Sequence, residues 1–405
     1  MKNVVFVAPY FKEATEKFIS AAIRCPETRV GLVSCDPLDH LSQELRAGLA
    51  AHYRVQDIST SELLRGVQAI GGAFGKIDRL LGMLEQIQVP LGEIRDRLGI
   101  EGMGARVANH FRDKGVMKNL FRANGIPTAR HGVADSIESA LRVAEHTGYP
   151  LIVKPPDGAG AKGTFRCENP AELTDCVQVL QPNPEKPLVL EEFIRGRELS
   201  FDSVCIDGTV IWSSISHYLP SPLEVIREPW IQWCVMIPRE VEDPLYRSVR
   251  QFAPQALNSL GLKTGLSHME WFHRPDDSIA ISEVGARPPG AQFTSLMSYA
   301  HDFNLYQAWA ELMIHNRFAP PQKKFAAGIA YLRGMGKGRV TDVQGLKNLA
   351  ASLGPFVVES KIPQPGQQAG GGYEGEGYII VRHPETEPVK QMLKQIIGSV
   401  QVQLA

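Results

Sequence analysis

The 405-residue sequence has no C-x-x-C pair and no histidine near its cysteines at zinc-finger spacing. Its six cysteines (Cys25, Cys35, Cys167, Cys176, Cys205, Cys234) are scattered, which favours buried, reduced thiols over a disulfide framework. No apolar run approaches ~18 residues, so no membrane span is expected. The apolar stretch in the opening "MKNVVFVAPYF" is too short for a secretion signal and reads as a first strand. A cytoplasmic protein is expected. Charge of one sign is lacking as well: 43 basic and 44 acidic residues nearly cancel, and no like-charge block stands out. Nucleic acid and membrane surfaces are therefore disfavoured as partners. Two nucleotide signatures are missing too. "APYFKEAT" follows the first strand where a dinucleotide fold would carry G-x-G-x-x-G, and in the later glycine loop Gly163 is followed by Thr164, so a Walker A loop fails.

What is present is enough apolar residue, 43%, for a large core and two or three domains. "NVVFVA" (3–8) and "RVGLVS" (29–34) are β-branched runs with a helical segment between them, the rhythm of a parallel α/β sheet. A boundary is placed near residue 112. Beyond it strands and helices mix. "ADSIESALRVAEHTG" (134–148) is a helix ending on a glycine cap, and "YPLIVKPP" (149–156) is a buried strand. "ELSFDSVCIDGTVIWSSIS" (198–216) is a hairpin folded at "DG". "HPETEPVKQMLKQIIGSV" (383–400) is a closing helix.

Three stretches carry chemistry. "KPPDGAGAKGT" (154–164) offers Lys154 and a loop of Gly158, Gly160, Lys162 and Gly163 whose backbone N–H groups can cradle phosphate; a plain surface turn is equally compatible. "LVLEEFIRGRELSFD" (188–202) joins two strands through a connector that can meet an adenine edge, with Glu198 near a ribose; a solvated link is the simpler alternative. "GLSHMEWFHRPDDSIAISEVGARPPG" (265–290) reads as a hairpin turning at "RPDD". With His273 and Ser278 as the last pair, Glu270 faces Ile281 and Glu283 lies diagonally from Glu270, ~7–8 Å away. Paired carboxylates need a cation or a base. Mg²⁺, which prefers oxygen ligands, suits them, and Arg287 could meet an anion at the strand's end. An ion pair between Glu270 and Arg287 is the alternative.

Taken in order, these pieces resemble the ATP-grasp superfamily, as does "DK" at 113–114, eleven residues ahead of "IP" at 126–127. The resemblance implies a Rossmann-like N-terminal domain (1–112), then a two-lobed ATP-grasp core over 113–320, an α/β and α+β fold. The small lobe would run to about 189, and 321–405 would complete the large lobe. It implies that Lys114 and Lys154 bind ATP phosphates beneath the 158–163 loop. Glu191, Glu192, Phe193 and Ile194 would hold adenine, and Glu198 the ribose. Glu270 and Glu283 would ligate Mg²⁺, or Mn²⁺ in its place, and Arg287 would be catalytic. Gly285 stands where many members carry a metal-binding asparagine. This E-x-G-x-R variant is similar to the carboxylate–amine (L-amino-acid, dipeptide) ligase branch.

The implied activity joins a small-molecule carboxylate to an amine through an acyl phosphate, releasing ADP and phosphate. A kinase, a carboxylase-type enzyme and an ATP-binding regulatory module without turnover are the alternatives. Carboxylation ranks lower because no biotinylation motif is present. A homodimer is left open. So are the roles of His217, Arg227, Arg333, the Trp230/Trp233 pair and the "GQQAGGGYEGEG" loop (366–377).

Overall fold

The computed structural model describes every residue except 159–162, 229 and 371, with backbone alone at 348. Its first sheet is parallel, with strand Lys2–Val7 flanked by Thr28–Ser34 and Arg79–Leu81, and Ala51–Arg54 at one edge. A parallel strand covered on both faces has no polar alternation, and "VVFV" shows why. Phe6 packs on one side with Phe18 and Trp309, while Val5 and Val7 face Leu63 and Val67 on the other. Trp309 belongs to helix Leu305–His315, far along the chain, so the leading sheet shares a core with the later part.

A second sheet has four antiparallel strands, in the order His131–Ala134, Leu188–Glu192, Leu151–Lys154, Phe165–Cys167. Two helices back it. Ile137–Thr147 starts on a Ser136 capping box and stops at Gly148, whose φ of 74° suits glycine; Pro170–Leu180 is capped by Asn169. The third sheet is the largest, with eight antiparallel strands from Ile279–Gly285 at one edge to Val357–Lys361 at the other. Its Arg197–Ile206 and Thr209–Leu219 strands form the expected hairpin, with Asp207 and Gly208 at positive φ in the turn. Ala326–Leu332 and Gly377–His383 pair inside the same sheet, so the last part of the chain completes it. The closing helix, Thr386–Ser399, is followed by a short strand, Gln401–Leu404, that the sequence did not suggest. Among the described residues no helix is long and apolar enough to cross a membrane. All six cysteines are free thiols, five of them buried.

One expectation is corrected. In the hairpin of Gly265–His273 and Ile279–Gly285, His273 pairs with Ile279 rather than Ser278, and Ile281 faces Trp271. A β-bulge then shifts the register, so that Glu270 lies directly opposite Glu283 rather than diagonally. Ser282 is the extra residue. An inserted residue leaves one side chain unpaired and returns the next to the original face. The pattern of apolar residues fits either register, which is why the sequence alone could not fix it.

Candidate active site

A cavity of about 910 Å³ opens between the small sheet and the large one. Every described residue that the resemblance places at the nucleotide, metal or catalytic site borders it: Lys114, Lys154, Gly158, Gly163, Glu191 to Ile194, Glu198, Glu270, Glu283 and Arg287. Gly160 and Lys162 lie outside the described residues. Lys154 ends its buried strand at the cavity because the chain leaves the sheet there through Pro155 and Pro156. Lys114 begins helix Lys114–Ala123, which Asp113 caps by accepting from Val116 N–H. Its ammonium donates to the Gly158 carbonyl at 2.6 Å and lies 3.1 Å from Glu283. One lysine thus joins the glycine loop to a carboxylate of the large sheet.

Glu270 and Glu283 face each other across the bulge, with Glu198 close by on the neighbouring strand. Burial pushes the Glu198 carboxyl well above its usual range, and the charges of Glu270 and then Glu283 add to this, partly offset by Lys154. Burial would raise Glu270 as well, but His268, Lys154 and Lys114 outweigh it and hold its carboxyl low. The opposed Glu270 and Glu283 therefore offer oxygen donors of the kind a hard divalent cation fits. Among the described residues no three Asp, Glu, His or Cys side chains are grouped to hold a metal alone. Two carboxylates completed by phosphate oxygens and water match Mg²⁺, which is commonly held that way.

Beneath the cavity lies a pairing that motif reading missed. Glu191 is buried between two lysines: it pairs with Lys154 and makes an ionic contact of 2.8 Å with Lys118. Lys118 is fully buried and also donates to the Ser282 carbonyl at 3.0 Å, which anchors the bulge. The sequence held one signal for it. Lys114 and Lys118 stand one helical turn apart on the same face, a like-charge pair that a bare helix disfavours. Burial would raise Glu191, but the two ammonium groups prevail and bring it to about 2. Lys118 is lowered, with burial outweighing Glu191, whereas Lys154 is raised because several carboxylates surround it.

A prediction follows for Glu191→Gln. It leaves two buried ammonium groups without their counter-ion and should cost about 3 kcal/mol of stability near neutral pH, measured by urea unfolding. The ionised Glu191 stabilises the fold fully above its ordinary value of 4.5, and this contribution is lost as pH falls towards about 2. The gap between wild type and variant should therefore close over that window. A constant gap would count against the pairing.

The hinge offers backbone more than side chains. Glu192 turns outward to Arg130 at 2.8 Å and Arg274 at 2.9 Å. The Phe193 N–H donates to the Pro150 carbonyl, while its ring lies 4.0 Å beneath the Arg166 guanidinium. The Ile194 N–H finds no backbone acceptor among the described residues, and Ile194 borders the cavity.

Arg287 is not paired with Glu270. Its guanidinium clasps Glu85, with Nε at 3.0 Å, and also donates to the Pro288 carbonyl. Glu85 comes from the leading part of the chain, where residues 83–86 reach the cavity, and it also holds Arg112 at 3.0 Å. Burial would raise its carboxyl; Arg287, Lys114 and Arg112 together hold it low. No motif marks "GMLEQIQ", and the partners are 202 positions apart, so Glu85 had no signature to be found by.

A further buried chain supports Glu270. Ser200 donates to Asp202, Asp202 accepts from His268 Nδ1 at 2.7 Å, and Tyr218 donates to Glu270 at 3.3 Å. Burial opposes the charge on His268, but Asp202 prevails and raises it to about 10. The residues left open fall elsewhere. His217 meets the Tyr246 hydroxyl at 2.8 Å, away from the cavity, and burial lowers it to about 4. Arg333 donates to the Ile231 carbonyl and Arg227 is exposed, so neither borders the cavity. Trp230 is 65% exposed, whereas Trp233 is buried and forms part of the cavity wall. Residues 370 and 372–375 of the glycine-rich loop border the cavity too, with Tyr373 among them.

Comparison with known proteins gives a family match. The ATP-grasp domain model matches residues 119–298. The L-arginine-specific L-amino acid ligase of Bacillus subtilis is 22% identical over 269 residues, covering 65% of this chain and 64% of that protein. The D-alanine--D-alanine ligase of Mycobacterium leprae is 24% identical over 255 residues, covering 59% of this chain and 63% of that one. The carbamoyl phosphate synthase large chain of Methanothermobacter thermautotrophicus is 25% identical over 234 residues, covering 56% and 21%. The match therefore spans less than two thirds of these relatives' length. Among solved structures, an L-amino acid ligase from Bacillus licheniformis superposes with a TM-score of 0.81 at 17% identity, over 100% of this chain and 99% of that one. The N5-carboxyaminoimidazole ribonucleotide synthetase of Thermotoga maritima gives 0.71 at 15% identity, over 100% of both. Such likeness shows a shared fold.

Proposed function

Because the chain carries an ATP-grasp domain over residues 119–298, we propose that it is an ATP-dependent carboxylate–amine ligase. The observation that carries this reading is the meeting of two opposed carboxylates, two lysines and an arginine in one cavity that three parts of the chain enclose. The Ile194 N–H meets the adenine edge, and Glu198 the ribose. Lys154 and Lys114 neutralise phosphate oxygens, and Lys114 draws the glycine loop towards them through the Gly158 carbonyl. Mg²⁺, held by Glu270 and Glu283, would supply charge compensation for the phosphates.

A substrate carboxylate oxygen attacks the γ-phosphorus in line, the bond to the β-phosphate oxygen breaks, and ADP leaves. The amine then adds to the carbonyl carbon of the acyl phosphate. The tetrahedral oxyanion that forms is met by Arg287, whose guanidinium is held in place by Glu85. Its collapse expels phosphate and leaves an amide, with the surplus amine proton passing to solvent. The cover formed by residues 370 and 372–375 limits water at the acyl phosphate.

The test is ATP turnover with Mg²⁺ and pools of small acids and amines. ADP and phosphate that appear only when an acid and an amine are both present, with an amide product by mass, are expected. A stable phosphorylated acid would show a kinase instead, and nucleotide binding without turnover on any pool would leave a binding module.

A further inference from the structure

Beyond Glu270 the cavity ends in rings. The Tyr218 hydroxyl donates to Glu270 at 3.3 Å, and the Tyr218 ring packs edge-on against Trp233 and Phe293, with centroids 5.9 and 5.8 Å away. Trp233 stacks on Tyr331 at 4.6 Å and meets Tyr373 of the covering loop edge-on at 4.7 Å. An aromatic wall thus starts one hydrogen bond from the carboxylates. The short helix Pro222–Arg227 adds Leu223 and Ile226 to the same cavity.

Polar atoms of Tyr218, Trp233 and Tyr331 in and around this wall are already used. Trp233 Nε1 donates to the Pro220 carbonyl at 3.0 Å, and the Tyr331 hydroxyl to the Ala291 carbonyl. Several nearby charges are matched as well: Glu85 by Arg287 and Arg112, Glu283 by Lys114, and His268 by Asp202, while Glu374, beside Tyr373 on the same loop, has no ion pair among the described residues. A guanidinium or carboxylate at the tip of a substrate side chain would be desolvated here against rings and aliphatic groups, at a cost that the wall's own uncharged side chains do not offset. An aromatic or large aliphatic side chain would displace water from surfaces that already face one another as rings.

We propose that the acid substrate bears an aromatic or large aliphatic side chain, seated among Tyr218, Leu223, Ile226, Trp233, Phe293 and Tyr373, with its carboxylate towards Arg287. This rests on the ligase reading above and departs from the arginine specificity named for the Bacillus subtilis relative. The wall selects by shape and hydration, so discrimination is steep against charged side chains and shallow among apolar ones of similar size.

Two measurements separate this proposal from the reading it rests on. First, phenylalanine, leucine, alanine, aspartate and arginine are titrated by calorimetry into protein saturated with Mg²⁺ and a non-hydrolysable ATP analogue. Second, each is supplied as the acid in ADP-release assays with a fixed amine pool. Phenylalanine or leucine should bind at least about tenfold more tightly than aspartate or arginine. Leu223→Asp should cut the ratio of phenylalanine to arginine kcat/KM by about tenfold or more, and Leu223→Met should preserve it. If arginine or aspartate is preferred while ADP and amide still form, the pocket assignment is overturned and the ligase reading stands. If the apolar preference appears in binding but no acid yields ADP, the pocket stands and the ligase reading falls. Binding that is equal for all five acids overturns the pocket, whatever the assays give.

Discussion

Arg287→Ala will slow turnover by about 10²–10³-fold while leaving nucleotide affinity nearly intact. The guanidinium sits where the strand Ile279–Gly285 has just ended, held by Glu85 from the leading part of the chain. The role proposed for it, on charge that develops during the reaction more than on the bound nucleotide, places the loss in kcat rather than in binding. The fold should survive the change. Glu85 keeps Arg112 at 3.0 Å, so the lost partner does not leave a buried carboxylate alone. Arg287→Lys should recover only part of the rate, because an ammonium cannot reproduce a planar fork against Glu85 and the oxyanion together. Steady-state ADP release and calorimetric nucleotide titration on the same preparations provide the check. Loss of affinity in step with rate would move Arg287 from the reacting centre to the nucleotide.

The second large effect is expected at Glu283→Gln. The amide keeps the shape of the side chain but removes half of the opposed carboxylate pair and the counter-ion that lies 3.1 Å from Lys114. The Mg²⁺ concentration for half-maximal activity should rise at least about tenfold, and turnover at saturating Mg²⁺ should fall by roughly 10²-fold, since a bound cation can contribute several kcal/mol of charge stabilisation. A Mg²⁺ titration of ADP release measures both. An unchanged Mg²⁺ requirement would remove Glu283 from the cation site and leave it as Lys114's partner alone.

The parts of this site that could be read from sequence are those in which chemistry and chain continuity coincide. Lys154 follows a buried strand and precedes a glycine loop, and Glu198 lies at the start of a strand that the "DG" turn makes recognisable. Glu283 and Arg287 end another strand before two prolines. Each stands within a few residues of a backbone feature that composition alone reveals. What escaped reading depends on contacts between distant segments. Glu85 meets Arg287 across a fold in which the leading sheet shares a core with helix Leu305–His315, and a lone acid in "GMLEQIQ" gives no hint of that. Asp202 and His268 meet across neighbouring strands and look, in sequence, like ordinary alternation. The bulge at Ser282 escaped for a different reason. Its cause is tertiary: Lys118 and Thr128 hold the carbonyls of Ser282 and Ile281 from another segment, so no residue within the hairpin announces it.

The cavity wall draws on segments far apart in the order of synthesis. Lysines, hinge and both carboxylates are synthesised well before Tyr373 and before Gly377–His383, the strand that settles between Ala326–Leu332 and Val357–Lys361. Until that strand arrives, Ala326–Leu332 is an open edge with fully buried residues waiting for a neighbour, the kind of edge that invites pairing with other chains. A nascent chain at that stage holds its lysines and carboxylates in a cleft that Tyr373 and its neighbours do not yet border. The loop residues that border the cleft and the strand that closes this edge are thus neighbours in the chain, and they are made together.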